Sequence, residues 1–362
     1  MHNPTLTNSK AEALLTQIKS WAKELGFADI GVSNLDLSEA ESRLHAWLLN
    51  GFHGSMDYMQ RHGTKRTEPD KLIPGTVSIL SLRMDYLPES QSQAIDVLSE
   101  PNTAYISRYA LGRDYHKLIR KRLKQLALKI QSEIDEVEYR VFTDSAPVME
   151  KPIAHKAGLG WMGKHSNILN REAGSWFFLG EIYLNFALPE TSARKNHCGG
   201  CTACIDVCPT QAIIAPYVVD ARKCISYLTI ENHDDIPLAL RPLIGNRIYG
   251  CDDCQLFCPW NRFATLTGET AFHPNSLIKD KPLTELFAWD EATFLKQLEG
   301  SPIRRIGYQN WLRNIAVALG NAKGNTKQNA ENLAALSSRK DHADARVAEH
   351  IHWAIEQQLN NS

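Results

Sequence analysis

Cys198-Gly-Gly-Cys201-Thr-Ala-Cys204-Ile-Asp-Val-Cys208-Pro209 places three cysteines at two-residue intervals and a fourth, three residues on, directly before proline. This C-x2-C-x2-C-x3-C-P spacing is the ferredoxin-type pattern for [4Fe–4S] clusters, in which the first three thiolates wrap one cluster and the fourth ligates a second. A second cluster is therefore expected, and the rest of the chain holds cysteines for it. Cys224 stands alone, and Cys251-Asp-Asp-Cys254-Gln-Leu-Phe-Cys258-Pro259 repeats the tail of the first run. The exchange rule assigns Cys198, Cys201, Cys204 and Cys258 to one cluster, and Cys208, Cys224, Cys251 and Cys254 to the other. All eight cysteines of the chain are then used.

Two other readings use the same residues. Paired C-x2-C motifs hold structural zinc in many proteins, and an even cysteine count in a secreted chain points to disulfides. The three-cysteine run closed by Cys-Pro favours iron–sulfur over both. The cysteines also crowd between residues 198 and 258, so they cannot staple the rest of the 362-residue chain.

A chain of 362 residues, 43% hydrophobic, can bury a real core and has room for about two to three domains. Residues 1–34 show no basic segment followed by an apolar run. No stretch of ~18 consecutive apolar residues occurs, so neither a secretory signal nor a membrane span is expected. A cytoplasmic protein follows, in the compartment where free thiolates persist. The net charge of -1 leaves any nucleic-acid argument to local asymmetry.

Apolar periodicity predicts a helix ending near Leu25 with Gly26 past its end, a strand over 27–32, a helix over 38–49 and a strand over 76–86. A basic helix is predicted over 108–129, its buried stripe formed by Ile119, Leu123, Leu126 and Ile130. Its eight Lys/Arg against one acid fit either a solvated face or a phosphate-binding surface. A strand over 139–143 delivers Asp144 at its end, a helix follows over 147–157, and an apolar stretch over 173–189 reads as buried strand. Helices are expected over 283–298, 303–319, 329–336 and 345–359 as a small helical-repeat tail.

The glycine-rich loop 158–167 contains Gly158, Gly160 and Gly163 in G-x-G-x-x-G register and Gly163-Lys164 as a partial P-loop. The first motif needs a preceding strand and the second a Ser/Thr after the lysine. Here a helix precedes and His165 follows, so a loop whose backbone approaches a large ligand is the better account.

Taken together, Arg108-Tyr-Ala-Leu-Gly-Arg-Asp-Tyr-His-Lys117, Phe142-Thr-Asp144-Ser-Ala-Pro-Val, Gly158-Leu-Gly-Trp-Met-Gly-Lys164, Cys224-Ile-Ser-Tyr-Leu-Thr-Ile-Glu231 among the cysteines, and Arg313-Asn-Ile-Ala-Val-Ala-Leu-Gly-Asn321 resemble the epoxyqueuosine reductases over nearly the whole chain. The resemblance implies an α+β fold: a nitroreductase-like cobalamin-binding domain over residues 1–190, a ferredoxin-like domain with two [4Fe–4S] clusters over 191–265, and a HEAT-like helical tail over 266–362. It implies base-off cobalamin and reduction of epoxyqueuosine to queuosine at the wobble position of tRNA. The implied partners are the anticodon stem-loops of the Tyr, His, Asn and Asp tRNAs and an external low-potential donor of flavodoxin or ferredoxin type. A monomer suffices.

Removing an epoxide oxygen takes two electrons and two protons, and side chains alone cannot supply the reductant. Asp144 matches the family's proton donor, with a pKa expected to be raised by desolvation; its bland alternative is a helix N-cap. Arg66, Lys164, Ser166, Asn167, Ser226 and Asp252 are expected around the corrin. Arg108, Arg113, Lys117, Arg120, Lys121 and Arg122 on the basic helix, with Arg304, Arg305 and Arg313 in the tail, are expected phosphate contacts. Trp161 or Tyr227 could stack a splayed base, although packing suits Trp161 better. A bare electron-transfer module and a reductive dehalogenase are the competing readings; bound cobalamin excludes the first, and the second usually carries a twin-arginine export signal.

Overall fold

In the computed structural model, residues 4–360 are described; residues 1–3 and 361–362, the outer ends of the first and last expected domains, lie outside them. Helix α1 (Asn8–Glu24) is capped by Thr7, whose side chain accepts from the Lys10 N–H, and it buries Ala11, Leu15, Ile18 and Ala22. That three- and four-residue spacing puts one apolar stripe against the sheet. The helix stops because Gly26 adopts a left-handed φ of 83° and lets the Phe27 N–H return to the Ala22 carbonyl, a glycine-terminated C-cap.

The central sheet has four strands, β1 (Asp29–Ser33), β2 (Ser78–Asp85), β3 (Tyr139–Phe142) and β4 (Phe177–Leu184), in the order β1-β2-β4-β3. Every pairing is antiparallel. β4 is much shorter than the expected 173–189 because Asn170 and Gly174 close a tight turn just before it. β2 and β4 are buried along almost their whole length, since α1 and the helix Tyr115–Gln131 cover one face and the helix Glu150–Lys156 covers the other.

Helix α2 (Tyr115–Gln131) buries the expected stripe, Ile119, Leu123, Leu126 and Ile130. It starts seven residues later than its charge pattern predicted. Arg108–Ala110 form a separate 3-10 turn, and at Gly112 the chain passes so close to Phe272 that a Cβ would lie 2.6 Å from its Cα. Asp114 then caps the true start by accepting from the His116 N–H. Helix α3 (Glu150–Lys156) is likewise shorter than expected. A helix over Gln91–Ser99, not predicted, starts in a Ser90/Gln93 capping box that sequence inspection could have found.

In the tail, the expected 283–298 helix breaks into Leu283–Phe287 and Glu291–Gln297 because Asp290 caps the second piece through the Thr293 N–H. Helices α4 (Gly307–Asn321), α5 (Thr326–Ser337) and α6 (Ala345–Asn360) follow. α4 is buried nearly all round. One core joins Ile106, Ala110 and Leu111, Ile225, Leu228 and Ile248, and Trp311, Ile315, Leu319 and Ile351, so the expected boundaries at 190 and 265 cut through shared packing. Among the described residues no helix is long and apolar enough to cross a membrane.

Candidate functional site

Short helices Ala203–Asp206 and Asp253–Leu256 carry Cys204 and Cys254, each the closing cysteine of a C-x2-C spacing, and pack against one another. Cys204 consequently neighbours Cys198, Cys201 and Cys258. Cys254 neighbours Cys224 and Cys208, and also Cys204, so the two groups adjoin. Cys201 is exposed, which puts the first group at the surface. The fourth member of the second group, Cys251, points its thiol at Asp253 Oδ2, 2.8 Å away.

Several expected cofactor contacts are committed elsewhere. Lys164 donates to the Gly199 and Cys201 carbonyls, each at 2.8 Å, and so ties down the first cysteine loop instead of facing a corrin. Asp252 is buried and accepts from Tyr105 Oη, Ser107 Oγ and the Arg108 N–H, so its carboxylate is turned into the protein and serves internal donors. Arg66 donates to the Tyr58 carbonyl, and Asn167 accepts from Lys151 Nζ at 2.9 Å. Ser166 holds a left-handed φ of 64°, and Ser226 follows Cys224, toward whose sulfur its N–H points. The glycines of the loop meet the chain's own backbone: a Cβ at Gly160 would sit 2.2 Å from the Leu169 carbonyl oxygen, and one at Gly158 would sit 2.6 Å from that of Ser192.

Asp144 stands just past β3 with φ of 54°. Its Oδ2 accepts from Tyr115 Oη at 2.6 Å and faces His116 Nε2 at 3.1 Å, while His116 Nδ1 faces Asp114 Oδ1 at 2.7 Å. The Asp144 side chain is 59% exposed although protein crowds it on most sides, so it stands open to solvent in a concave part of the surface. Burial pushes its pKa up, but the hydrogen bonds from His116 and Tyr115 and the charges of His116 and Arg305 outweigh burial and hold it below the usual carboxylate range. The expected upward shift is therefore reversed. Burial alone would lower His116, but carboxylates at both ring nitrogens raise it to about 9. At neutral pH the proton thus sits on the imidazole.

Lys151, not expected from sequence, neighbours Asp144, Glu150, Cys224 and Cys254, so it bridges Asp144 and the second cysteine group. On the far side Tyr58 responds to Asp144 and Glu231, and burial with these two charges raises it to about 12. Glu231 is paired with Arg305. No spacing rule links residues 58, 115, 116, 144, 151 and 231; Tyr115, His116, Asp144 and Glu231 each stood inside a recognised motif, whereas Tyr58 and Lys151 stood in none.

The basic residues divide by burial. Arg108 is buried against Glu89 and the Ile106 carbonyl. Arg313 is buried and donates to the carbonyls of Leu228, Asn232 and Asp234. Neither guanidinium can reach a phosphate, which corrects both expectations, and Arg122 is turned inward to Glu269. Arg113, Lys117, Arg120, Lys121, Arg304 and Arg305 remain exposed. The Asp114 N–H donates to the Gly300 carbonyl, so the start of α2 and the tail arginines form one basic rim beside Asp144. Tyr227 is held by the Ser55 N–H and hydroxyl, and Trp161 is buried edge-on against Trp260; neither is free to stack a base.

Residues 66–145 match the family described as epoxyqueuosine reductase QueG, DUF1730, and residues 197–261 match the 4Fe-4S double cluster binding domain. The chain is 55% identical to the epoxyqueuosine reductase of Pseudomonas aeruginosa over 343 residues, 94% of each chain. It is also 55% identical to that of Escherichia coli over 346 residues, 96% of this chain and 90% of the relative. The Bacillus subtilis epoxyqueuosine reductase, solved with its catalytic aspartate loop swung out of the active site, superposes with a TM-score of 0.86 at 26% identity, covering 96% of this chain and 91% of that one. An epoxyqueuosine reductase solved with a modified tRNA-Tyr stem loop has the same fold, with a TM-score of 0.84 at 24% identity over 96% of this chain and all of the other. This iron–sulfur oxidoreductase belongs to the epoxyqueuosine reductase family.

Proposed function

We propose that the protein reduces epoxyqueuosine in tRNA to queuosine, converting the epoxide to an alkene with two electrons and two protons and releasing water. The observation that carries this reading is the His116–Asp144–Tyr115 array in a concave part of the surface that reaches, through Lys151, to Cys224 and Cys254. An acid site and an electron site facing one hollow are what a reductive ring-opening needs.

Two [4Fe–4S] clusters fit the two adjoining cysteine groups, with Cys201 nearest to solvent as the entry for electrons from an external donor. Between Asp144 and the second cysteine group, Lys151 and Ser226 offer a cation and a hydroxyl that would hold a corrin's amides, with Asn167 fixing Lys151 through its Oδ1. Cobalamin, when bound, supplies the low-potential metal chemistry that side chains lack. The chain's own residues do the rest. Opening an epoxide puts negative charge on oxygen, and a positioned acid accelerates such a step by typically 10²–10⁴-fold. At neutral pH Asp144 is ionised and the His116 imidazolium at its Oδ2 holds the proton, so His116 is the proton's source and Asp144 relays it to the oxygen that develops charge. Tyr115 fixes the carboxylate's rotamer. The rim formed by Arg113, Lys117, Arg120, Lys121, Arg304 and Arg305 meets the anticodon phosphates, which positions the modified base over Asp144.

The test is anaerobic turnover by reconstituted protein with cobalamin, a strong reductant and epoxyqueuosine-containing stem-loop, followed by nucleoside mass spectrometry. Queuosine from the wild type, with a fall of ~10² or more for Asp144→Ala, supports the assignment. Absence of queuosine despite intact clusters and bound corrin would overturn it.

A further inference from the structure

Two carboxyl groups behind the Asp144 loop have no role in the chemistry so far. Glu181 lies in the middle of β4, opposite Ser81 of β2 and Phe142 of β3, with 0% of its surface exposed. Ser81 Oγ, 3.3 Å from Glu181 Oε1, is its hydrogen-bond donor within the sheet, and Oε2 receives no ordinary donor. The other group it meets is the Glu150 carboxyl, at the first turn of α3. Glu150 in turn accepts the backbone N–H of Asp144.

A carboxylate at the centre of a sheet, with no cation beside it, is strongly disfavoured in its charged form. Two carboxyl groups in contact in such a place keep a proton between them. The ionisable neighbours agree. Asp144 and Glu181 face Glu150, with Lys151 as a nearby cation; Glu150 and Asp144 face Glu181, and Tyr183 lies along the same strand. The acid form belongs to Glu181, the more deeply buried and more cation-poor of the two.

We propose that Glu181 is a neutral carboxylic acid that donates to Glu150 and thereby fixes the Glu150 carboxylate as the latch for the Asp144 N–H. Asp144 needs such a latch. Its left-handed backbone is disfavoured for any residue with a Cβ, and a loop so strained keeps its conformation only when neighbouring contacts hold it. Glu181 is thus a positioning residue, acting through Glu150 on the loop that carries the proposed proton donor. The inference rests on that reading of Asp144, but the latch can be measured without turnover.

The experiment compares Glu181→Gln, Glu181→Leu and Glu150→Ala in the full chain. Infrared difference spectra of wild type against Glu181→Gln should show the carbonyl band of a protonated carboxyl group, lost in the variant. Hydrogen–deuterium exchange over residues 143–150 should be unchanged in Glu181→Gln, whose amide still donates, and at least about tenfold faster in Glu181→Leu and Glu150→Ala. In turnover, Glu181→Gln should lie within about threefold of wild type, and Glu150→Ala should lose about tenfold or more in kcat at unchanged KM for the stem-loop. If Glu181→Leu fails to fold, Glu150→Ala carries the same exchange and kinetic readouts from outside the sheet. The absence of the band, a Glu181→Gln variant as impaired as Glu181→Leu, or unchanged exchange in Glu150→Ala would each overturn the proposal. If exchange and infrared behave as expected while no variant alters turnover, the latch stands and the role of Asp144 falls.

Discussion

Replacing Arg313 should damage stability and leave RNA affinity intact, the reverse of what a basic residue in a tRNA-modifying enzyme invites one to expect. Its guanidinium is buried within α4 and donates to the carbonyls of Leu228, Asn232 and Asp234 and to Asn314 Oδ1. The Leu228 carbonyl lies in the helix that starts just after Cys224, so one side chain clamps the tail to the second cysteine group. Arg313→Ala leaves three buried acceptors, the Leu228 and Asn232 carbonyls and Asn314 Oδ1, without this donor, while the Asp234 carbonyl keeps a long bond from Asn232 Nδ2. At about 1–3 kcal/mol for each unsatisfied buried group, partly relieved by water entering the vacated space, the loss is about 3–5 kcal/mol. An unfolding entropy of about 2.1 cal/mol/K per residue gives about 0.76 kcal/mol/K for a chain of this length, so Tm should fall by about 4–7 °C. Anaerobic thermal denaturation of Arg313→Ala and Arg304→Ala, beside stem-loop binding for both, checks this. A stable Arg313→Ala that binds RNA more weakly would refute the argument, because it would place the guanidinium on the surface.

Other outcomes follow from the same geometry. Because His116 is raised to about 9, its charge and the ion pairs with Asp114 and Asp144 are fully present below the ordinary histidine range and are lost as pH rises through about 9. Turnover should decline along that limb, and His116→Gln should flatten it, as a pH–rate profile would show. Asp252→Ala strands Tyr105 Oη, Ser107 Oγ and the Arg108 N–H and should cost about 2–4 kcal/mol in anaerobic urea unfolding. Lys164→Met releases the carbonyls of Gly199 and Cys201, so iron should be lost to a chelator several-fold faster, with the visible absorbance reporting the rate. Lys117→Ala with Lys121→Ala should leave Tm unchanged and reduce the slope of log affinity against log salt by about 1.5, measured by stem-loop binding across salt concentrations.

The cysteine spacing, the buried stripe of α2, the cap at Gly26 and the position of Asp144 at a strand end were all legible from residue order. Each depends on neighbours within a few positions, where helical and strand periodicity and fixed ligand spacing act directly. The start of α2 was misread because its charge run continues into Arg108, while the close passage at Gly112 that stops the helix depends on Phe272, far along the chain. Burial likewise separated Arg108 and Arg313 from Lys117 and Lys121, which are identical in charge but not in surroundings. The state of Asp144 could not be read at all: a carboxylate's pKa follows from what the fold sets against it, and the fold sets His116, Tyr115 and Arg305 there. Sequence by itself determined the iron–sulfur chemistry and the family, because thiolate ligation is written in short intervals. Only the tertiary structure decided which charges are available, where the proton rests and that Glu150 and Glu181 stand behind the Asp144 loop, because desolvation and charge pairing arise from residues brought together across the whole chain.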